Sequence, residues 1–136
     1  MPITLSSNPA RLDVDLIHRF LSTSYWAQGR PREVVERSIR HSICFGAYDD
    51  RRQVAFGRAI TDRAVFAYFA DIFVIPEYRG RGISKLLVRA LLDHPDITGV
   101  RLVMLRTRDA QGLYRQFGFR EIPDAEEVMA LYRSGF

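Results

Sequence analysis

Residues 64–95 constrain the fold more than any other stretch of the chain. Ala64 to Val74 is a long, largely apolar run with strand character, and Pro76 stops it because proline cannot donate to a sheet ladder. Gly80 and Gly82 make a tight turn, after which the period changes. Ile83, Leu86, Leu87, Ala90 and Leu91 recur at helical spacing, the apolar stripe of an amphipathic helix that His94-Pro95 terminates. Val100 to Leu105 is then a short apolar strand. Strand, helix and strand in that order make one β-α-β crossover, so at least two strands run parallel in one sheet.

The remaining elements surround this unit. Val14, Ile17, Phe20 and Leu21 predict a helix over 13–23, with Asp13 as its cap. Pro31 suits the first position of a second helix, with Glu33 in its first turn and Val34, Val35 and Ile39 on one side. Ile43 to Tyr48 and Gln53 to Ile60 read as a hairpin around the polar turn at 49–52. Asp109 can cap a helix running to Phe117, with Gly118 in the left-handed position beyond it. Phe119 to Ile122 and Val128 to Tyr132 are expected as final strands. The resulting order, ααβββαβαββ, is α+β with a mixed sheet, and 136 residues suit a single domain over 1–136.

Composition narrows the setting. No apolar run approaches the roughly 20 residues of a membrane span, and residues 1–15 lack the pattern of a secretory signal. Cys44 is the only cysteine, which excludes an internal disulfide and a multi-cysteine metal site. A cytoplasmic protein without membrane or metal is expected. Lys85 is the only lysine among the 20 basic residues, and the formal net charge is +4. The arginines are scattered, which argues against a basic nucleic-acid-binding tail. A solvated surface and a phosphate ligand both stay open on composition.

The turn itself carries chemistry. A strand enters a two-glycine turn and leaves directly as a helix, whose first N–H groups lack intrahelical partners. With the helix dipole these form an anion site suited to a phosphate or pyrophosphate, and Arg79 and Arg81 add charge beside it. A P-loop is absent, and the dinucleotide fingerprint fails because Lys85 stands where its third glycine is required.

Arg79-Gly80-Arg81-Gly82-Ile83-Ser84 resembles the pyrophosphate loop of the GNAT acyltransferase superfamily, Arg/Gln-x-x-Gly-x-Gly/Ala. Asp71-Ile72-Phe73-Val74 resembles the end of that family's fourth strand. Asp109 to Phe119, with Tyr114 four residues before Gly118-Phe119, resembles its second signature. Ser84 replaces the family's glycine or alanine, although its hydroxyl can still donate to phosphate. Ala70 stands where some polyamine acetyltransferases carry an acidic residue.

The resemblance implies a GNAT-like sheet with a splay between strands four and five, where acetyl-CoA lies. It implies that Phe73 and Val74 pair through their backbone with the pantetheine arm, while Ile72 N–H polarises the thioester carbonyl. Residues Arg79, Gly80, Arg81, Gly82, Ile83 and Ser84 hold the pyrophosphate. Asp109, Gly112, Tyr114, Arg115 and Phe117 complete the cofactor set. Tyr114 matches the family's general acid, since a phenol of pKa about 10 can protonate the departing thiolate.

The base stays open. Asp71 is one candidate, with a structural carboxylate paired to an arginine such as Arg106 as the alternative reading, and a water chain as another. His18, His41 and His94 rank below these. Tyr25 and Trp26 follow the first helix and are candidates for acceptor binding, or a hydrophobic plug under that loop. Cys44 reads as a small buried hydrophobe. The expected activity is acetyl-CoA-dependent N-acetyl transfer to a primary amine of a small molecule or peptide. An acyl-CoA-binding module without turnover is the alternative, and a nucleic-acid binder a weaker one. Homodimers are common among the proteins it resembles.

Overall fold

The computed structural model describes residues 2–134. They form two compact units, one ending at Arg106 and the other beginning at Thr107. The first unit is a five-stranded sheet with strands in sequential order, β1 (Ile3–Ser6), β2 (Ile43–Asp49), β3 (Arg52–Thr61), β4 (Phe66–Val74) and β5 (Leu102–Met104). β1 through β4 are antiparallel neighbours, whereas β5 runs parallel to β4. The parallel pair is the consequence of the crossover through helix α3 (Ile83–Asp93). Helices α1 (Val14–Thr23) and α2 (Arg32–Arg40) lie in sequence between β1 and β2. The α+β class and the mixed sheet are as the sequence predicts.

Local chemistry fixes most of the boundaries. The Asp13 carboxylate caps α1 by accepting from Leu16 N–H at 3.0 Å. Pro31 is the residue before α2 rather than its first, and its carbonyl accepts from the Val34 and Val35 N–H groups. α3 ends at Asp93, and its cap His94 precedes a proline, which disfavours helical backbone there.

Three further expectations are corrected. β1 is an additional strand of four residues, too short for its alternation to register, and it forms because β2 offers an edge to Ile3 through Ser6. The last two expected strands, 119–122 and 128–132, do not form among the described residues. That stretch carries one turn of 3₁₀ helix, Ala125–Glu127, and Met129 is 94% exposed. Strand character in a segment only suits it to a pleated, half-buried surface, and a strand exists only with a partner edge. Finally, helix α4 spans Gln111–Arg115, and its cap residue is Ala110 rather than Asp109. Among the described residues no side chain caps α4; the Thr107 hydroxyl accepts from Ala110 N–H at 3.0 Å and so holds the turn before the helix.

The core of the first unit joins α1 (Ile17, Leu21), α2 (Val35), the inner strands (Ala47, Val54, Ala55, Phe56, Phe73) and α3 (Ile83, Leu87). Phe20 of α1 stacks on Phe73 of β4 at 4.0 Å between ring centroids, bringing the end of α1 to the end of β4. Gly46 is closed off by the buried Tyr48 ring, because a Cβ there would lie 2.5 Å from the Tyr48 hydroxyl. Gly46→Ala therefore displaces a fully packed ring. It should cost about 1–3 kcal/mol, visible as a lower urea midpoint with an unchanged slope.

Candidate active site

β4 carries one residue too many for its partner. Phe56 and Arg58 of β3 oppose Phe73 and Ala70, so two steps of β3 face three of β4. The excess is a β-bulge at Asp71, which adopts φ +56°. Gly57 lies opposite, and a Cβ there would sit 3.1 Å from the Ile72 side chain. On its other edge β4 pairs with β5 only from Phe66↔Leu102 to Tyr68↔Met104. From Ala70 to Val74, β4 runs on beyond its last pairing with β5. This is the splay expected between strands four and five.

The end of β4 leads through a 3₁₀ turn, Pro76–Tyr78, into the glycine turn. Gly80 and Gly82 take φ +78° and +77°, the left-handed region that a side chain opposes. A Cβ on either would meet no atom within 4 Å, so the space before the turn is open. Gly82 is the cap residue of α3 and supplies no side-chain cap, leaving the first N–H groups of an eleven-residue helix to the exterior.

A cleft of about 460 Å³ joins these features. Its walls are Phe20, Thr23 and Ser24 at the end of α1, Tyr25 and Trp26 in the following loop, Ile72, Phe73 and Val74 of β4, and Pro76, Arg79 and Ser84 around the turn. The predicted β4 residues, Arg79, Ser84, Tyr25 and Trp26 thus line one cavity. Arg79 donates its Nε to the Val74 carbonyl at 3.0 Å, so one backbone group expected to pair with the pantetheine arm already accepts from a side chain. Arg81 lies over the Tyr78 ring at 4.6 Å and donates to the Glu77 carbonyl at 3.3 Å. Tyr25 and Trp26 pack edge to face at 5.1 Å and are 48% and 41% exposed, an aromatic wall rather than a buried plug.

Asp71 is buried and fully engaged. Its Oδ1 accepts from Trp26 Nε1 at 2.9 Å, and its Oδ2 accepts from Arg30 Nη1 at 2.8 Å and Arg58 Nε at 2.7 Å. Burial pushes the carboxyl up, but the Arg58 and Arg30 guanidiniums outweigh it and hold the group below the ordinary aspartate value. The arginines on this carboxylate are therefore Arg30 and Arg58, where the sequence suggested Arg106. Neither was legible beforehand, because contacts across 41 and 13 residues leave no local signal. Cys44 is buried, and desolvation pushes its thiol up to about 12, so it is not poised as a thiolate nucleophile.

The second unit holds the remaining predicted residues. Gly112, Tyr114 and Arg115 lie on α4, with Asp109 before it and Phe117 after it. Gly118 takes φ +93°, the left-handed position expected. The Tyr114 ring meets Phe119 edge to face at 5.7 Å, and its carbonyl accepts from both Phe117 and Phe119 N–H. Arg115 is paired with Glu121 at 2.9 Å. Among the described residues no group of three or more His, Cys, Asp or Glu could hold a metal ion, and no helix is long and apolar enough to cross a membrane.

The chain is similar to known proteins in sequence and fold. Residues 40–121 match the acetyltransferase (GNAT) domain family. A protein of Gibberella zeae described as an acetyltransferase is 34% identical, the match covering 81% of this chain and 74% of that one. Serotonin N-acetyltransferase 2 of Oryza sativa subsp. japonica, a chloroplastic protein, is 32% identical over 77% of this chain, which spans only 56% of the rice protein. A crystal structure from Xanthomonas campestris pv. campestris, described as a GNAT-family acetyltransferase, superposes with a TM-score of 0.94 at 46% identity, covering 98% of this chain and 94% of that one. The chain belongs to the GNAT acetyltransferase family.

Proposed function

We propose that the protein is an acetyl-CoA-dependent N-acetyltransferase that acts on a primary amine of a small molecule or peptide. One observation carries this reading: the end of β4 beyond its pairing with β5, an aromatic wall, and Arg79 and Ser84 flanking the two left-handed glycines border a single cleft. The cofactor fits these residues, because the uncapped start of α3 and the open space before Gly80 and Gly82 form a cradle for a pyrophosphate.

Acetyl-CoA, when bound, supplies an acetyl group activated as a thioester. The N–H groups of 80–84 and the Ser84 hydroxyl would hold the pyrophosphate, and Arg79 would add charge on the same wall. Phe73 offers its backbone groups to the pantetheine arm along that end of β4, whereas the Val74 carbonyl already accepts from Arg79, and the Ile72 N–H would serve as donor to the acyl oxygen. By its match to the family's second signature, Tyr114 would supply the proton that the leaving sulfur takes. The amine proton goes to a water chain, because both oxygens of Asp71 already accept from Trp26, Arg30 and Arg58.

Tyr114→Phe should lower kcat by roughly 100-fold, within the usual contribution of a positioned general acid, while leaving coenzyme A affinity unchanged. Steady-state kinetics with calorimetry read both quantities, and an unchanged kcat removes Tyr114 from the acid role. The reading as a whole is tested by thiol release from acetyl-CoA against polyamines, amino acids, aminoglycosides, arylamines and peptide N-termini. Release with at least one class supports N-acetyl transfer. Coenzyme A binding without release with any class supports the non-catalytic acyl-CoA module instead.

A further inference from the structure

The Asp71 cluster beside the cleft has no step to perform in the transfer, yet its construction is specific. Arg58 belongs to β3 and also donates to Ser42 Oγ at 3.1 Å, so it is part of the sheet framework. Trp26 and Arg30 both belong to the loop between α1 and α2. One carboxylate at the β4 bulge therefore bonds the framework on one side and the loop on the other, through one indole and two guanidinium donors. Bonds to an ionised acceptor are stronger and more directional than neutral ones, and here they are shielded from water. The indole N–H points at the carboxylate, while the residue remains 41% exposed on the cleft wall beside Tyr25. The orientation of that wall is thus fixed from behind.

We propose that Asp71 is a positioning residue that latches the 24–31 loop to the β4 bulge, and that Trp26, so held, is a specificity-determining wall for the acceptor. The acceptor part rests on the transfer reading above; the latch does not.

Trp26 is the only tryptophan, so intrinsic fluorescence reports the loop directly. Arg30→Gln leaves the buried Asp71–Arg58 pair in place and is the variant expected to fold without difficulty; Asp71→Asn removes the charge itself. In both, acrylamide quenching of Trp26 should rise about two-fold as the loop opens locally, with emission shifted to the red and coenzyme A affinity within a few-fold of the parent. With the amine that releases thiol fastest, acceptor KM should rise roughly ten-fold, the loss expected for one hydrogen bond to a charged group, with kcat little changed. Trp26→Phe, which keeps an aromatic ring but lacks the N–H donor, should raise acceptor KM similarly and add little to Asp71→Asn.

Unchanged quenching in folded Arg30→Gln overturns the latch. A collapse of kcat in Asp71→Asn at unchanged KM, with loss of the acidic limb of the pH–rate profile, makes Asp71 the base and also overturns it. If no amine releases thiol, the transfer reading fails while the quenching result still decides the latch.

Discussion

Asp71→Leu should destabilise the protein by about 3–5 kcal/mol, the usual cost of removing one partner from a buried ion pair. The Arg30 and Arg58 side chains are only 16% and 10% exposed, and the substitution leaves both charges without the carboxylate they share. Urea denaturation reads the loss as a lower midpoint. Replacing all three by apolar residues of similar volume, Arg30→Met, Arg58→Met and Asp71→Leu together, should recover most of it, because the buried charges then go together. The same cluster predicts a pH dependence. The carboxyl is held below its ordinary value in the folded protein. Its contribution is therefore complete above the ordinary aspartate range and is lost as pH falls through the depressed folded value. Acid unfolding of the parent should be steeper than that of the triple replacement.

Gly82→Trp should weaken coenzyme A binding on the order of 100-fold or more, equivalent to losing two hydrogen bonds to charged oxygens. The indole would occupy the open space before the turn, where a Cβ at Gly82 meets nothing within 4 Å. Gly82→Ala separates bulk from backbone strain. At φ +77° alanine costs about 1–2 kcal/mol of stability, but its methyl group is too small to fill that space, so binding should stay within a few-fold. If both variants lose affinity equally, the backbone conformation matters more than the room in front of it. Calorimetric titration distinguishes the two cases.

How far the fold was legible in the sequence depends on where each constraint lies. The turn at 79–84, the start of α3 and the cap at Asp13 are local, and each was readable from residue types at fixed spacing. The parallel β4–β5 pair followed from one helix between two strands. What failed were the segments whose state depends on a partner. Ile3–Ser6 becomes a strand because the edge of β2 is available, and Val128–Tyr132 does not despite its apolar character. Tyr25, Trp26 and Arg79, singled out in the sequence, line one cleft, but what holds them there left no sequence signal. The bulge that gives Asp71 its left-handed backbone is a mismatch between β3 and β4, visible only once their register is known. Arg30 and Arg58 looked like two scattered arginines among many until the fold brought them to one carboxylate. Other ion pairs, such as Arg52–Glu77 and Arg63–Asp96, are on the surface, where such pairs contribute little.

The central claim is that the glycine turn at the start of α3 holds the pyrophosphate of acetyl-CoA. Its most direct test is calorimetric titration of the wild-type protein and of Gly82→Trp with coenzyme A and, separately, with pantetheine, which has the same arm and thiol but neither phosphates nor adenosine. The structure predicts saturable one-to-one binding of coenzyme A to the wild type, with pantetheine weaker by on the order of 100-fold, the equivalent of two charged hydrogen bonds, and most of that difference lost in Gly82→Trp. Equal affinity of the wild type for the two ligands, no binding of coenzyme A, or the same difference in Gly82→Trp would contradict it.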